Sequence, residues 1–212
     1  MKYLNQIKDM KLTIIGDVHG KVHQYKKIID KCEFSICVGD FGFEPEWNWL
    51  IKQKKNSEIA WNHWINMGNH DYIPYYHVYG PSMKNHMFWP NESIFTVRGA
   101  ESIDKHLRIE GLDWFPNEEL NYKEQLEAFD LYCKVKPKIV ISHDCPQSVM
   151  ERIFKMGWSY GKTQTRTMLE MMFQEHQPNW WFFGHHHESK DEVINGTRFI
   201  CLNELETFEI EL

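Results

Sequence analysis

Leu12-Thr13-Ile14-Ile15-Gly16-Asp17-Val18-His19-Gly20 is the stretch on which the fold turns. An apolar, β-branched run stopped by glycine reads as a buried strand entering a tight loop. Asp17 and His19 stand two apart on that loop, so an extended backbone points both side chains to one side. A carboxylate beside an imidazole at a strand end is half of a hard-to-borderline metal site.

Outward from that stretch the same arrangement recurs. Residues 34–38 form an apolar strand ended by Gly39-Asp40-Phe41-Gly42, and residues 61–67 one ended by Gly68-Asn69-His70-Asp71. Residues 138–142 run into His143-Asp144-Cys145-Pro146, and residues 180–183 into Gly184-His185-His186-His187-Glu188. Loops at the carboxyl ends of strands in an α/β sheet are where sites form. Between the strands, helices are predicted over 22–31, 44–55, 121–133 and 163–176. The first carries Val22, Tyr25, Ile28 and Ile29 on one face, and Glu44-Pro45-Glu46 opens the second. Residues 94–97 are the one strand legible in the aromatic-rich stretch 72–116. Residues 192–212 read as two or three antiparallel strands around the hairpin signal Asn195-Gly196. A βαβα beginning and a hairpin ending predict an α/β layered sandwich with mixed sheets, in one domain over residues 1–212.

Composition narrows the function classes. Hydrophobic content of 42% with 15% aromatics is that of a packed globular protein, which sets disorder aside. A net charge of −6 argues against broad nucleic-acid binding, which needs a basic footprint. It leaves room for a small nucleotide or a phosphoprotein, since bound cations reverse the local sign. The five cysteines are odd in number and scattered, which suits reduced thiols and a cytoplasmic location. Residues 1–10 are polar, and no apolar run reaches membrane-spanning length, so no membrane partner is expected. Nothing in the sequence speaks to oligomeric state.

The blocks Gly16-Asp17-Val18-His19-Gly20, Gly39-Asp40, Gly68-Asn69-His70-Asp71, Ser142-His143 and Gly184-His185-His186-His187, in that order, resemble the calcineurin-like metallophosphoesterases. Arg98-Gly99-Ala100-Glu101-Ser102-Ile103-Asp104-Lys105, with Arg108, is most similar to the small members carried by phage and bacterial genomes. The resemblance implies a four-layer α/β/β/α sandwich with two mixed β-sheets and the site at the strand carboxyl ends. It implies two divalent cations, Mn²⁺ first and Fe or Zn²⁺ as alternatives. Asp17, His19 and His187 would hold one, Asn69, His143 and His185 the other, with Asp40 bridging and His70 as the acid for the leaving oxygen. The implied reaction is in-line attack by a metal-activated water on a phosphate ester. A phosphomonoester of protein or nucleotide leads, a phosphodiester (cyclic nucleotide, dinucleotide or nucleic acid) is the alternative, and a non-catalytic scaffold stands behind both. For a phage-encoded chain the location would be the host cytoplasm.

One departure bears on His70. Phe43 and Glu44 stand where the family's protein-phosphatase branch has a second Asp and an Arg. His70 therefore needs another partner, Glu44 or Asp71, or has none. Arg98 and Arg108 are candidate phosphate clamps, because a guanidinium matches phosphate geometry. Plainer expectations cover other features. His186 alternates away from the ligands, and His23 is a polar helix position. Trp47, Trp61 and Trp181 belong with most tryptophans in core or loop anchoring. Residues 52–55 form a solvated helix end, and Met168, Met171 and Met172 pack in the core. Residues 72–89 read as a lid or specificity loop.

Overall fold

The computed structural model of the chain describes residues 11–71, 85–89, 91, 93–155 and 161–212. The apolar runs pair into two sheets. In the first, β1 (Lys11–Ile15), β2 (Phe34–Cys37) and β3 (His63–Ile65) are parallel, and β10 (Thr207–Glu211) lies antiparallel outside β1. The second has the order β4 (His86–Trp89), β5 (Ile94–Val97), β6 (Ile139–Ser142), β7 (Trp180–Phe183), β9 (Thr197–Cys201), β8 (Lys190–Ile194). Its four inner strands are parallel, and β4 and β8 are antiparallel edges.

Strand alternation decides what each face buries. Leu12, Ile14, Ile36 and Val38 of the first sheet meet Ile94, Ile139, Ile141, Phe182 and Ile200 of the second in one apolar layer. Ile15 and Cys37 point the other way, onto Tyr25 and Ile29 of α1 (Val22–Ile29) and Trp47 and Leu50 of α2 (Glu44–Lys55). The outer face of the second sheet packs Trp181, Phe183 and Phe199 against α3 (Tyr122–Val135), α4 (Gln147–Phe154) and α5 (Gln164–Glu175). Both faces of the parallel strands are covered, which is why their sequences are continuous apolar runs. The result is the expected four-layer sandwich. Among the described residues no helix is long and apolar enough to cross a membrane.

Several details depart from the expectations. β4 and α4 add to the predicted elements, and β3 is shorter than 61–67. Asn195-Gly196 does turn an antiparallel hairpin, but β9 then joins β7 in parallel and β10 crosses to the first sheet. Met168 and Met172 are buried, whereas Met171 faces solvent, because α5 shows only one flank to the sheet. Trp47 and Trp181 are core residues and Trp61 is exposed. Residues 72–84 of the expected lid lie outside the described residues, as do residues 1–10.

The supposedly solvated run 52–55 hides a buried lysine. Lys54 is 2% exposed, its Nζ donates to the His63 carbonyl at 3.0 Å, and it sits 5.1 Å over the Trp61 ring. Burial pulls its ammonium down to about 7. The unfolded chain keeps that proton until about 10.4, so it binds more protons than the native state between the two values, and stability rises with pH there. In parallel urea melts, wild type is expected to gain on Lys54→Met by up to roughly 1.4 kcal/mol per pH unit between pH 7 and 10. A pH-independent gap would mean that Lys54 is solvated.

Candidate active site

Parallel pairing puts the loops that leave β1, β2 and β3 at one end of the first sheet and those that leave β6 and β7 at one end of the second. Contacts of His185 with Asp17 and of His143 with Asp40 bring the two ends together. Backbone bonds lace them together. Val18 N and His19 N both donate to the Asp40 carbonyl (3.0 and 2.8 Å), and Gly184 N donates to the His143 carbonyl (3.0 Å). Within these loops four polar residues adopt left-handed backbone: His19 (φ 45°), Asp40 (48°), His185 (65°) and His187 (50°). Each such residue costs on the order of 1 kcal/mol, a strain typical of functional loops. Glycine lets the walls close. A Cβ on Gly68 would lie 2.1 Å from Asp40 Oδ1 and 2.5 Å from His143 Nε2.

Two groups of ligating atoms meet at Asp40. Ligating atoms of Asp17, His19, Asp40 and His187 lie within 4.8 Å of one another. The Nε2 atoms of His19 and His187 are 2.8 Å apart, and His19 Nε2 is 3.6 Å from Asp40 Oδ2. On the other side His143 Nε2 is 3.2 Å from Asp40 Oδ1 and 3.1 Å from Asn69 Oδ1. His185 anchors to Asp17 Oδ2 through its backbone N–H (2.8 Å), and its ring centre is 5.1 Å from that of His143. All seven expected ligands are thus brought together.

The electrostatics fit divalent cations. Among the described residues, Asp17 Oδ1, Asp40 Oδ2 and His143 Nδ1 are buried without a hydrogen-bond partner, which is costly unless a cation completes the site. Burial pushes Asp17 up to about 8, with Asp40 adding to the rise and His143 opposing it. Burial also opposes charge on Asp40, but His143, His70 and His19 outweigh it and hold that carboxyl below its usual range. His143 is driven to about 10, the adjacent Asp40 and Asp17 charges overcoming burial. Oxygen and nitrogen donors without thiolate suit Mn²⁺, Fe or Zn²⁺.

His70 stands beside this cluster with its backbone N–H on Asp40 Oδ1 (2.8 Å). Of its two expected partners, Asp71 is not on its ring. Asp71 is buried and spends both oxygens on Gly42 N (3.0 Å) and Gly68 N (2.7 Å), bracing two glycine loops. The side chain of Glu44 lies outside the described residues. The neighbour that is present is Arg108, whose Nη2 is 3.4 Å from His70 Nε2 while Asp104 grips the guanidinium at 2.7 Å through both oxygens. Burial and the Arg108 charge push His70 below its usual value, against the pull of Asp40. Asp40, Asn69, His70, Arg108, Arg166 and the three consecutive histidines line a cavity of about 300 Å³. Arg98 is a correction. It is 3% exposed, donates to Asn85 Oδ1 and the Asn117 carbonyl (both 2.9 Å), and lines a separate cavity. It is a structural arginine.

His186 is also less remote than strand alternation suggests, because the loop is not extended there. Its Nε2 is 3.1 Å from Asp144 Oδ1, and its ring stacks on Phe154 at 4.2 Å. Asp144, Cys145 and His186 are close enough to hold a metal. Asp144 Oδ2, however, is already taken by Arg166 Nε at 2.7 Å, and that positive charge disfavours a cation. The fully buried Asp144 instead ties α5 to the histidine loop. Asp144, Arg166, Ser102 and Glu118 are not among the residues expected from sequence. Only Asp144, next to the candidate ligand His143 in a strand-end loop, carries a local signal.

The sequence model of one family, described as calcineurin-like phosphoesterase, matches residues 10–189. A search of curated protein sequences returned no match. Among solved structures, phosphopantetheinyl hydrolase of Mycobacterium tuberculosis superposes with a TM-score of 0.56 at 12% identity, covering 92% of this chain and 90% of that one. A dimetal phosphatase of Danio rerio gives 0.56 at 10% identity, with 92% and 88% covered. The protein TT1561 of Thermus thermophilus gives 0.55 at 11% identity, with 96% and 99% covered. At such identities these structures establish the sandwich alone, and the family match spans the five strand-end loops. The chain belongs to the calcineurin-like phosphoesterase family and is a metal-dependent phosphoesterase.

Proposed function

We propose that this chain is a two-metal phosphomonoesterase acting on a phosphoprotein or nucleotide, with Mn²⁺ as the working metal. The supporting observation is the position of Asp40. Its Oδ1 faces His143 and its Oδ2 faces His19, so one buried carboxylate touches two ligand groups. We assign Asp17, His19 and His187 to one ion, Asn69, His143 and His185 to the other, and Asp40 to both. When bound, such a pair supplies Lewis acidity and lowers the pKa of water toward ~7. The protein's own contribution is orientation and proton delivery. Arg108, pre-set by Asp104, receives the non-bridging phosphoryl oxygens. His70, beside it, donates a proton to the departing oxygen. Five free thiols agree with a cytoplasmic setting, and residues 1–212 are read as one catalytic domain.

A phosphodiester is the second reading, and one observation favours it. A further cavity of about 380 Å³, lined by His19, Phe43, Glu46, His70, Arg108 and His187, flanks the first. Space on both sides of His70 and Arg108 would accept a group on each ester oxygen. Chelator-stripped protein refilled with Mn²⁺ should hydrolyse an aryl phosphate monoester faster than the corresponding diester. A reversed ratio selects the diesterase, and inertness toward both with Mn²⁺, Fe²⁺ and Zn²⁺ refutes the enzyme.

A further inference from the structure

An asparagine ligand has a problem that aspartate lacks. Its oxygen and its NH₂ are nearly the same size, and only the oxygen can bind a cation. Something must tell Asn69 which way to face. Its Nδ2 donates to Ser102 Oγ at 2.9 Å. Ser102 can accept there because its own hydrogen goes elsewhere, to Glu118 Oε2 at 2.5 Å. Glu118 Oε1 also accepts from Ser102 N at 3.0 Å. The carboxylate is an acceptor at both contacts, so the direction of every bond follows from it. Ser102 and Glu118 are 2% and 3% exposed, which keeps water from substituting.

We propose that Glu118 is a positioning residue that, through Ser102, holds Asn69 with its carbonyl oxygen toward His143 and its amide away from the metal side. The inference rests on the reading of Asn69 as a ligand. The backbone is built for the relay. Gly99 N donates to the Met67 carbonyl (3.0 Å), docking the segment before Ser102 against the loop that bears Asn69. Gly99 has φ 98°, and a Cβ there would lie 2.7 Å from the Glu118 carbonyl, so only glycine lets the two segments approach.

Reversing one donor tests the relay. In Glu118→Gln the amide oxygen still accepts from Ser102 N, which leaves the NH₂ facing Ser102 Oγ. The hydroxyl hydrogen must then turn to Asn69, whose side chain flips and presents NH₂ to the cation. Calorimetric titration of the chelator-stripped full chain with MnCl₂ should show one of two sites weakened ~10–100-fold, the usual cost of losing such outer support. Circular dichroism should remain that of wild type. Ser102→Ala, which removes the relay without a new donor, should weaken the same site.

Asn69→Asp supplies a readout that mere structural damage would not move. With Glu118 present, an aspartate oxygen meets a serine oxygen whose hydrogen is already committed, so Mn²⁺ binding weakens. When Glu118→Gln is added, the freed hydroxyl hydrogen serves that aspartate, so the double variant should regain Mn²⁺ affinity lost by either single change. Wild-type binding by Glu118→Gln, or losses that simply multiply in the double variant, overturns the inference. Asn69→Ala separates the two readings. Loss of one Mn²⁺ there keeps Asn69 a ligand whatever Glu118 does, whereas unchanged binding removes the ligand reading and the relay with it.

Discussion

Asp40→Asn is expected to fold, to lose its stabilisation by Mn²⁺ and to hydrolyse phosphate esters ~10³-fold more slowly, a deficit of about 4 kcal/mol. The direction of the damage can be read from one bond. His70 N–H donates to Asp40 Oδ1, so asparagine keeps its oxygen there and must place NH₂ where Oδ2 stood, facing His19. A donor then points at the Asp17, His19, His187 side, where two imidazole nitrogens already meet 2.8 Å apart. Wild type at 100 times the Mn²⁺ dissociation constant should gain about 2.7 kcal/mol, or roughly 5–10 °C in melting temperature. The variant should melt at the same temperature with and without Mn²⁺. A wild-type thermal shift in Asp40→Asn would show that this carboxylate binds no metal.

Gly68→Ala should be nearly as severe for a different reason. The added methyl would stand 2.1 Å from Asp40 Oδ1, 2.5 Å from His143 Nε2 and 2.7 Å from Asp40 N. Both side chains are buried and hydrogen-bonded in place and Asp40 N is backbone, so the β3 loop must move away from the β2 loop. The expected cost is about 3 kcal/mol of stability, at the upper end for overpacking, with Mn²⁺ binding on the Asn69 and His143 side lost. Gly161→Ala is the control, since no described residue lies within 4 Å of its added Cβ. Chemical denaturation and Mn²⁺ titration of both variants check this. Equal behaviour of the two would mean that the loops are not in contact.

The sequence is most informative where one local stretch carries both a strand and a candidate ligand. Apolar runs stopped by glycine, or by His143 after β6, locate strand ends, and each supplies atoms to the same cluster. α4 escapes a sequence reading although Val149, Met150 and Ile153 have helical spacing, because Pro146 and the preceding loop residues read as a turn. β4 escapes it because all four of its residues are half-buried at a sheet edge, which leaves no alternation to read. Arg98 and Arg108 look alike in sequence, and only tertiary contacts separate a structural arginine from one beside His70. Ser102 reaches Asn69 from 33 positions further along the chain and Glu118 from further still, a juxtaposition without a local pattern.

β10 beside β1 also sets a timetable. The loop bearing Asp17 and His19 is clamped from far along the chain: Leu205 N donates to the Asp17 carbonyl, Gly16 N to the Glu206 carbonyl, and β10 pairs residue for residue with β1. At ~5–20 residues per second, a ribosome needs roughly 10–40 s after finishing β1 to reach β10. Throughout that interval the edge of β1 is unpaired, and the histidines after β7 are still to be made for most of it. The loop bearing Asp17 and His19 therefore gains its β10 clamp only after the other loops of the cluster have all been made.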